Sequence, residues 1–204
     1  MKPEQVFRII IIAAGLAGLI LQFQISTGIL AARGLGLGAT LWKLSGYFTI
    51  LTNGLLVLTQ SLCLLPSGSR YRSSSVQGAL LLYILVVGIV YVVLLADLWK
   101  PEGRQWWADN LLHRVTPLLQ LGFWIAFVPK DILPWRQALP WLAWPAAYLI
   151  WTLARGPAYP YPFLEADRLG WPRTILNCLL MTAAFSVGAL AIIGGGRALA
   201  KKPG

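Results

Sequence analysis

One histidine is the residue of this chain that most directly suggests chemistry. His113 is the single histidine among 204 residues, and it lies near the start of an apolar stretch, residues 111–128. Histidine changes charge near neutral pH, which suits it to act as a general base. A titratable imidazole in an apolar stretch is costly unless something uses it. The alternative is a structural histidine whose ring nitrogens are hydrogen-bonded.

A short polar stripe, made of Thr49, Thr52 and Asn53, interrupts another apolar segment. Their spacing of i, i+3 and i+4 places all three on one face of a helix. A hydroxyl needs a nearby base to become a nucleophile, so either threonine could pair with an imidazole. The alternative is that the threonines bond backbone carbonyls within the helix. The Asn53 amide is a candidate donor for an oxyanion hole.

An acidic residue also lies within reach of the imidazole. Asp109 precedes His113 by four residues, so the two side chains share a helix face. A carboxylate there would fix the tautomer and raise the basicity of the imidazole. Asp109 could instead serve only the first turn of its helix, where acids are favoured.

Membrane helices must position these residues. The chain is 57% hydrophobic and 12% charged, with a mean hydropathy of +0.67. These values are typical of a polytopic membrane protein. At about 20 residues per span, the sequence predicts an all-α fold. It would be a single transmembrane domain over residues 1–204, a compact bundle of roughly six helices. The predicted spans are 6–30, 41–65, 76–98, 108–128, 138–153 and 173–193.

The alternation of spans brings several polar features to one membrane face. The loops after the first, third and fifth spans must share a face, and Thr49, His113 and the tyrosine- and proline-rich segment 159–165 all lie near it. That segment could close a pocket mouth, or it could be a turn anchored by tyrosines at the interface. Nine of the 17 basic residues fall on the opposite face, with the termini. This distribution favours cytoplasmic termini.

Charge and ligand chemistry narrow the partners. The net charge of +10 is scattered singly through the loops, so we expect contacts with lipid headgroups and no nucleic acid. One histidine and no clustered carboxylates predict no metal and no cofactor. Cys63 and Cys178 fall within spans and are interpreted as apolar core residues. Tryptophans near the predicted span ends indicate an interfacial belt: Trp42, Trp99, Trp106, Trp107, Trp135 and Trp171.

Three segments carry a resemblance to a known family. They are Tyr47-Phe48-Thr49, then Asn110-Leu111-Leu112-His113 followed by Pro117, and finally Tyr161-Pro162-Phe163-Leu164-Glu165. In this order they resemble the androgen-induced-gene and androgen-dependent TFPI-regulating protein family. Its members are multi-span membrane hydrolases that cleave fatty acid esters of hydroxy fatty acids with a threonine and a histidine. The resemblance covers most of the chain in span order.

The resemblance implies a role for each matching residue. The family nucleophile falls on Thr49, with Thr52 as the competing choice, and the family histidine falls on His113. The chain would then be a lipid ester hydrolase of a bacterial inner membrane, taking its substrate from the bilayer. A small channel or carrier and a non-enzymatic scaffold are the alternatives. Substrate contacts are expected from Tyr47, Phe48, Tyr161, Phe163 and Glu165.

Overall fold

The computed structural model of the protein describes residues 1–97, 100–156 and 159–200. Throughout these ranges the chain is helical and contains no strand, which confirms the all-α prediction. The end of the predicted third span, Leu98, and the predicted belt residue Trp99 lie outside the described residues. The chain divides into two compact units, Met1–Pro129 and Lys130–Gly204, which are described in turn.

Six α-helices form the first unit. They are α1 (Pro3–Ala31), α2 (Leu37–Leu44), α3 (Phe48–Leu64), α4 (Ser74–Val90), α5 (Gly103–Asn110) and α6 (Thr116–Phe127). A 3-10 turn, Pro66–Arg72, joins α3 to α4. Helix α1 packs against α3, α5 and α6, and α4 packs against α3 and α6. The core of this unit therefore lies between α1, α3, α4 and α6.

The predicted second span, 41–65, is broken in the structure. Helix α2 ends at Leu44 and α3 begins at Phe48, with the two bent by 90°. Tyr47 is extended, with φ −93° and ψ 122°, and the Ser45 hydroxyl donates to the Trp42 carbonyl at 2.9 Å. Serine side chains compete for backbone partners in this way where helices end. The break places Thr49 in the first turn of α3.

Two π-helical turns adjoin the packed helices. The first, Tyr91–Leu95, continues α4, and the second, Leu111–Val115, joins α5 to α6. In the second, the Thr116 N–H donates to the Leu111 carbonyl, five residues back. Pro117 has no N–H to donate, so the regular bonding of the preceding turn cannot be completed there. Such single π turns often accompany functional sites.

Helix α5 is tied to α1 by polar side chains. The Gln105 amide donates to Gln22 Oε1 at 2.8 Å, and the Arg104 guanidinium donates to the Gln24 side chain. Below these contacts, Gly18 lets α1 approach the second π turn closely. A Cβ on Gly18 would lie 2.8 Å from Leu112 Cδ2 and 3.1 Å from Leu111 Cβ. The position of the second π turn thus depends on α1.

The second unit contains α7 (Ala138–Trp141), α8 (Ala143–Ala154), α9 (Ala166–Leu169) and α10 (Trp171–Leu199). The predicted fifth span, 138–153, is divided at Leu142 between α7 and α8. A 3-10 turn, Pro162–Leu164, precedes α9, and the Asn177 amide of α10 donates to the Phe163 carbonyl at 2.9 Å. The Arg197 guanidinium donates to the Leu133 carbonyl at 2.9 Å.

Three helices within the described residues are long and apolar enough to cross a membrane. They are Pro3–Ala31, Ser74–Leu95 and Trp171–Leu199, and the bent pair of α2 and α3 would be a fourth if it forms one span. These helices are consistent with a protein that lives in a membrane.

Candidate active site

Thr49 and His113 meet in the first unit, although 64 residues separate them in sequence. The Thr49 hydroxyl oxygen lies 3.3 Å from His113 Nε2. Thr49 is supplied by the first turn of α3, and His113 by the second π turn. Both are sheltered: Thr49 is 8% exposed, and the His113 side chain is 15% exposed. The distance is somewhat long for a hydrogen bond and typical of a nucleophile and base without substrate.

The other ring nitrogen of His113 determines the tautomer. Nδ1 lies 3.0 Å from the backbone carbonyl oxygen of Asp109. A carbonyl oxygen only accepts, so the neutral ring must carry its proton on Nδ1. The lone pair of Nε2 then faces the Thr49 hydroxyl. This is the arrangement that a general base for Thr49 requires.

Asp109 contributes its carboxylate as well as its carbonyl. Oδ1 lies 3.4 Å from His113 Nδ1, and the Asp109 side chain is 4% exposed. A proton on Nδ1 is therefore flanked by two acceptors from the same residue. The carboxylate of Asp109 thus faces the ring of His113 four residues along, and its orienting role stays a prediction.

Asn53 joins the two halves of the site. Its amide nitrogen donates to the Thr49 carbonyl at 2.9 Å and to the Leu112 carbonyl at 3.2 Å. Its Oδ1 accepts from the Thr116 hydroxyl at 2.7 Å. Both amide hydrogens are thus directed at carbonyl oxygens, and neither is left for the oxyanion role predicted for Asn53. The arrangement makes Asn53 a bridge between α3 and the second π turn.

The π turn explains why this bridge forms. The Thr116 N–H, which would reach the Leu112 carbonyl in a regular helix, donates to Leu111 instead. The next residue, Pro117, has no N–H. The Leu112 carbonyl is satisfied by a side chain, since the Asn53 amide donates to it at 3.2 Å. A buried carbonyl released from the helix would otherwise be costly.

Tyr91 lies against one face of the imidazole ring. Its ring is stacked on that of His113, with centroids 4.2 Å apart and planes 21° apart. Tyr91 is 4% exposed, and its hydroxyl interacts electrostatically with the Asp109 carboxylate. The Arg114 guanidinium lies 5.6 Å from the centre of the Tyr91 ring. Tyr91 thus contacts both residues that could set the properties of the base.

The remaining predicted site residues of α3 lie close to Thr49 in the chain. Tyr47 is the N-cap of α3, and Phe48, 8% exposed, is its first residue. Thr52 is 1% exposed. The 3.3 Å contact with His113 is made by Thr49, which favours Thr49 over Thr52 as the nucleophile.

Tyr161, Phe163 and Glu165 belong to the second unit. The Tyr161 and Phe163 rings are stacked with centroids 5.2 Å apart. Glu165 forms an ion pair with Arg168 at 2.7 Å, and the Arg168 guanidinium also donates to the Pro162 carbonyl at 3.3 Å. These contacts make the segment an ordered turn before α9.

A second buried polar group, the arginine–glutamine cluster of Arg8, Gln60, Gln77 and Gln120, was not predicted. The Gln60 amide donates to Gln77 Oε1 at 2.9 Å and to Gln120 Oε1 at 2.8 Å. The Arg8 guanidinium donates to Gln60 Oε1 and pairs with Glu4 at 2.7 Å. Arg8 is 3% exposed, and the three glutamines are fully buried. The cluster links α1, α3, α4 and α6.

Sequence signals for the unpredicted residues do exist. Gln77 and Gln120 each interrupt a mainly apolar helix, and Gln60 lies in the apolar second half of α3. An amide in such a place needs a partner. For Tyr91 the signal is weaker, since a tyrosine near a span end also suits an interfacial belt. Its relation to His113 depends on how α4 packs against the second π turn.

Comparisons with protein-family models, curated proteins and solved structures found no match for this chain. The function is therefore inferred from the geometry of the candidate site, which is formed by Thr49, His113, Asp109, Asn53 and Tyr91.

Proposed function

We propose that the protein is an integral-membrane lipid ester hydrolase, with Thr49 as nucleophile and His113 as general base. The observation that carries this proposal is the 3.3 Å approach of the Thr49 hydroxyl to His113 Nε2, with Nδ1 directed at Asp109. A buried nucleophile, a base and a group that orients the base form the minimal constellation for acyl transfer.

The reaction proceeds in two steps. His113 Nε2 takes the hydroxyl proton of Thr49 while the Thr49 oxygen forms a bond to the ester carbonyl carbon. The ester C–O bond breaks, and His113 returns the proton to the departing alcohol. A water then attacks the acyl-Thr49 ester, giving its proton to His113 and releasing the fatty acid and the threonine hydroxyl.

The beginning of α3 supplies favourable electrostatics for this attack. Thr49 is the second residue of the helix, so its oxygen lies near the positive end of the helix dipole. Negative charge that develops during attack is stabilised at such an end. We assign this contribution to the first turn of α3 rather than to Asn53, whose amide bridges two carbonyls.

The substrate and setting follow from the apolar surroundings and the resemblance. We propose a bundle of six spans, in which segments 108–128 and 138–153 cross with the four candidate spans, with both termini in the cytoplasm of a bacterium. Esters of hydroxy fatty acids would reach Thr49 from the bilayer. Tyr47 and Phe48 are proposed to contact the acyl chain. Tyr161, Phe163 and Glu165 remain proposed as substrate-binding residues.

Fluorophosphonate labelling of detergent-solubilised protein tests the proposal. We expect wild type to form a covalent adduct, found by mass spectrometry on the peptide containing Thr49. Thr49→Ala and His113→Ala should abolish labelling, since they remove the nucleophile and the base. Thr49→Ser should retain it, because a hydroxyl remains at the same place.

Thr52→Ala is the matched control, because it removes a buried hydroxyl one helical turn away. It should label like wild type. Loss of labelling in Thr52→Ala with full labelling in Thr49→Ala would transfer the nucleophile to Thr52. If wild type does not label, or all variants label equally, the covalent mechanism is wrong.

A small membrane carrier is the second candidate function, and one observation favours it. Polar side chains follow one another along the helix that contains α5, the second π turn and α6. From Asp109 to the arginine–glutamine cluster they cover about 16 Å, at 1.5 Å per residue. A polar route and a broken helix are both typical of carriers. The members of this polar seam are Asp109, His113, Thr116 and Gln120.

A further inference from the structure

We propose that Tyr91 is a positioning residue for the His113 base, acting through its ring. This inference deepens the proposed function and rests on it. The effect of Tyr91 on the reaction passes through His113.

The ring of Tyr91 restricts the imidazole. Centroids 4.2 Å apart and planes 21° apart put one face of His113 flat against the tyrosine. The stack opposes rotation of the ring about its Cβ–Cγ bond, which would swing Nε2 away from Thr49. An aromatic face also attracts a cation, so the stack favours the imidazolium formed when His113 takes the hydroxyl proton.

The carboxylate of Asp109 lies at the edge of the same imidazole. Its Oδ1 is 3.4 Å from His113 Nδ1, and it interacts electrostatically with the Tyr91 hydroxyl. Groups that fix the partner of a histidine are known to affect its basicity and orientation.

Helix packing makes the stack possible. Gly88, one turn before Tyr91, lets α4 approach the second π turn. A Cβ on Gly88 would lie 3.0 Å from the His113 carbonyl oxygen and 3.3 Å from Pro117 Cγ. Because the first π turn begins at Tyr91, the ring is presented where α4 is closest to His113.

The ionisable groups around His113 are few. Tyr91 faces it from α4, Asp109 precedes it on its own helix, and Arg114 lies beyond the Tyr91 ring. The packed helices α1 and α3 carry their ionisable residues at the other end, at Glu4, Arg8 and Cys63. A change in the imidazole resonances of His113 after a substitution at Tyr91 is therefore attributable to the loss of the Tyr91 ring.

The single histidine allows a direct test. Protein labelled with ¹³C,¹⁵N-histidine, in nanodiscs, gives one set of imidazole resonances. In wild type we expect a proton on Nδ1 and ring protons shifted upfield by the tyrosine. Tyr91→Leu should remove the upfield shift and, because the ring is no longer held, give broadened or multiple imidazole resonances. Tyr91→Phe should keep the upfield shift and the single set of resonances, because its ring can still stack.

Fluorophosphonate labelling provides the second readout. Tyr91→Leu should lower the labelling rate roughly tenfold or more. Tyr91→Phe should label near the wild-type rate, because the stack remains. The control Tyr83→Leu, which removes another buried tyrosine of α4, should leave the imidazole resonances and the labelling rate unchanged.

The outcomes separate the two proposals. Unchanged imidazole resonances or unchanged labelling in Tyr91→Leu overturns the positioning role while leaving Thr49 chemistry intact. If the wild-type protein does not label, the proposed hydrolase activity is wrong. Any catalytic role of Tyr91 is then wrong as well, even if the spectra show the stack. Tyr91→Phe keeps the test decisive should Tyr91→Leu not fold.

Discussion

At the scale of single residues, the site is organised by carbonyl oxygens as much as by ionisable groups. The Asp109 carbonyl fixes the His113 tautomer. The Leu112 carbonyl, which has no helical N–H partner because of the π turn, accepts a hydrogen bond from the Asn53 amide. Asn53 in turn bonds the Thr49 carbonyl at 2.9 Å. The nucleophile and the base therefore share one amide that holds their backbones together.

Replacing Asn53 tests this bridging role. Asn53→Leu should destabilise the protein by roughly 1–3 kcal/mol, because it leaves buried polar groups unsatisfied. A lower midpoint of thermal unfolding in detergent would report the loss. The double variant Asn53→Leu/Thr116→Val should cost less than the sum of the two single changes, since both ends of the 2.7 Å bond are removed. Loss of labelling with unchanged stability would instead return Asn53 to the oxyanion role.

At the scale of helices, the apolar pattern predicts the existence of most elements and fails at their irregularities. The run at 6–30 reads as one helix and is one, Pro3–Ala31. The break at residues 45–47 is hidden, because Ser45 and Gly46 are tolerated within membrane helices and the apolar pattern continues across them. The π turns cannot be predicted from the apolar pattern either, since each depends on hydrogen bonds and contacts with neighbouring helices.

The candidate site divides in the same way. Asp109 and His113 are four residues apart, a spacing that predicts a shared helix face. Thr49 belongs to a polar stripe that the sequence also shows. The pairing of Thr49 with His113 needs α3 to adjoin the second π turn, which is tertiary information. Tyr91 could not be assigned from sequence, because its partner is on another helix.

The approach of α4 to the second π turn gives a prediction at this scale. Gly88→Ala should weaken labelling several-fold, roughly 1 kcal/mol in the activation barrier. Its Cβ would press on the backbone oxygen of His113, 3.0 Å away, and separate Tyr91 from the imidazole. Gly54→Ala on α3 is the matched control, since nothing lies within 4 Å of its Cβ. Equal labelling rates for the two variants would contradict this account.

At the scale of the whole molecule, polarity inside the first unit is concentrated at two levels. Thr49 and His113 mark one, and the arginine–glutamine cluster marks the other, 11 residues further along α3 at Gln60. That separation is about 16 Å along a helix. Between them Leu56 is fully buried on α3, and the polar seam continues through Thr116. A hydrolase needs only the first level, whereas a carrier would use both.

This difference makes Gln60 informative about the whole protein. Gln60→Leu removes the acceptor of Arg8 and the donor to Gln77 and Gln120, so we expect unfolding in detergent at a lower temperature. Unsatisfied buried groups cost about 1–3 kcal/mol. The labelling rate of the folded fraction should stay at the wild-type value, because Thr49 and His113 lie about 16 Å away. Ser61→Leu, at the neighbouring and less buried position, controls for added apolar bulk. A folded Gln60→Leu variant that no longer labels would mean that the two levels work together, as the carrier alternative requires.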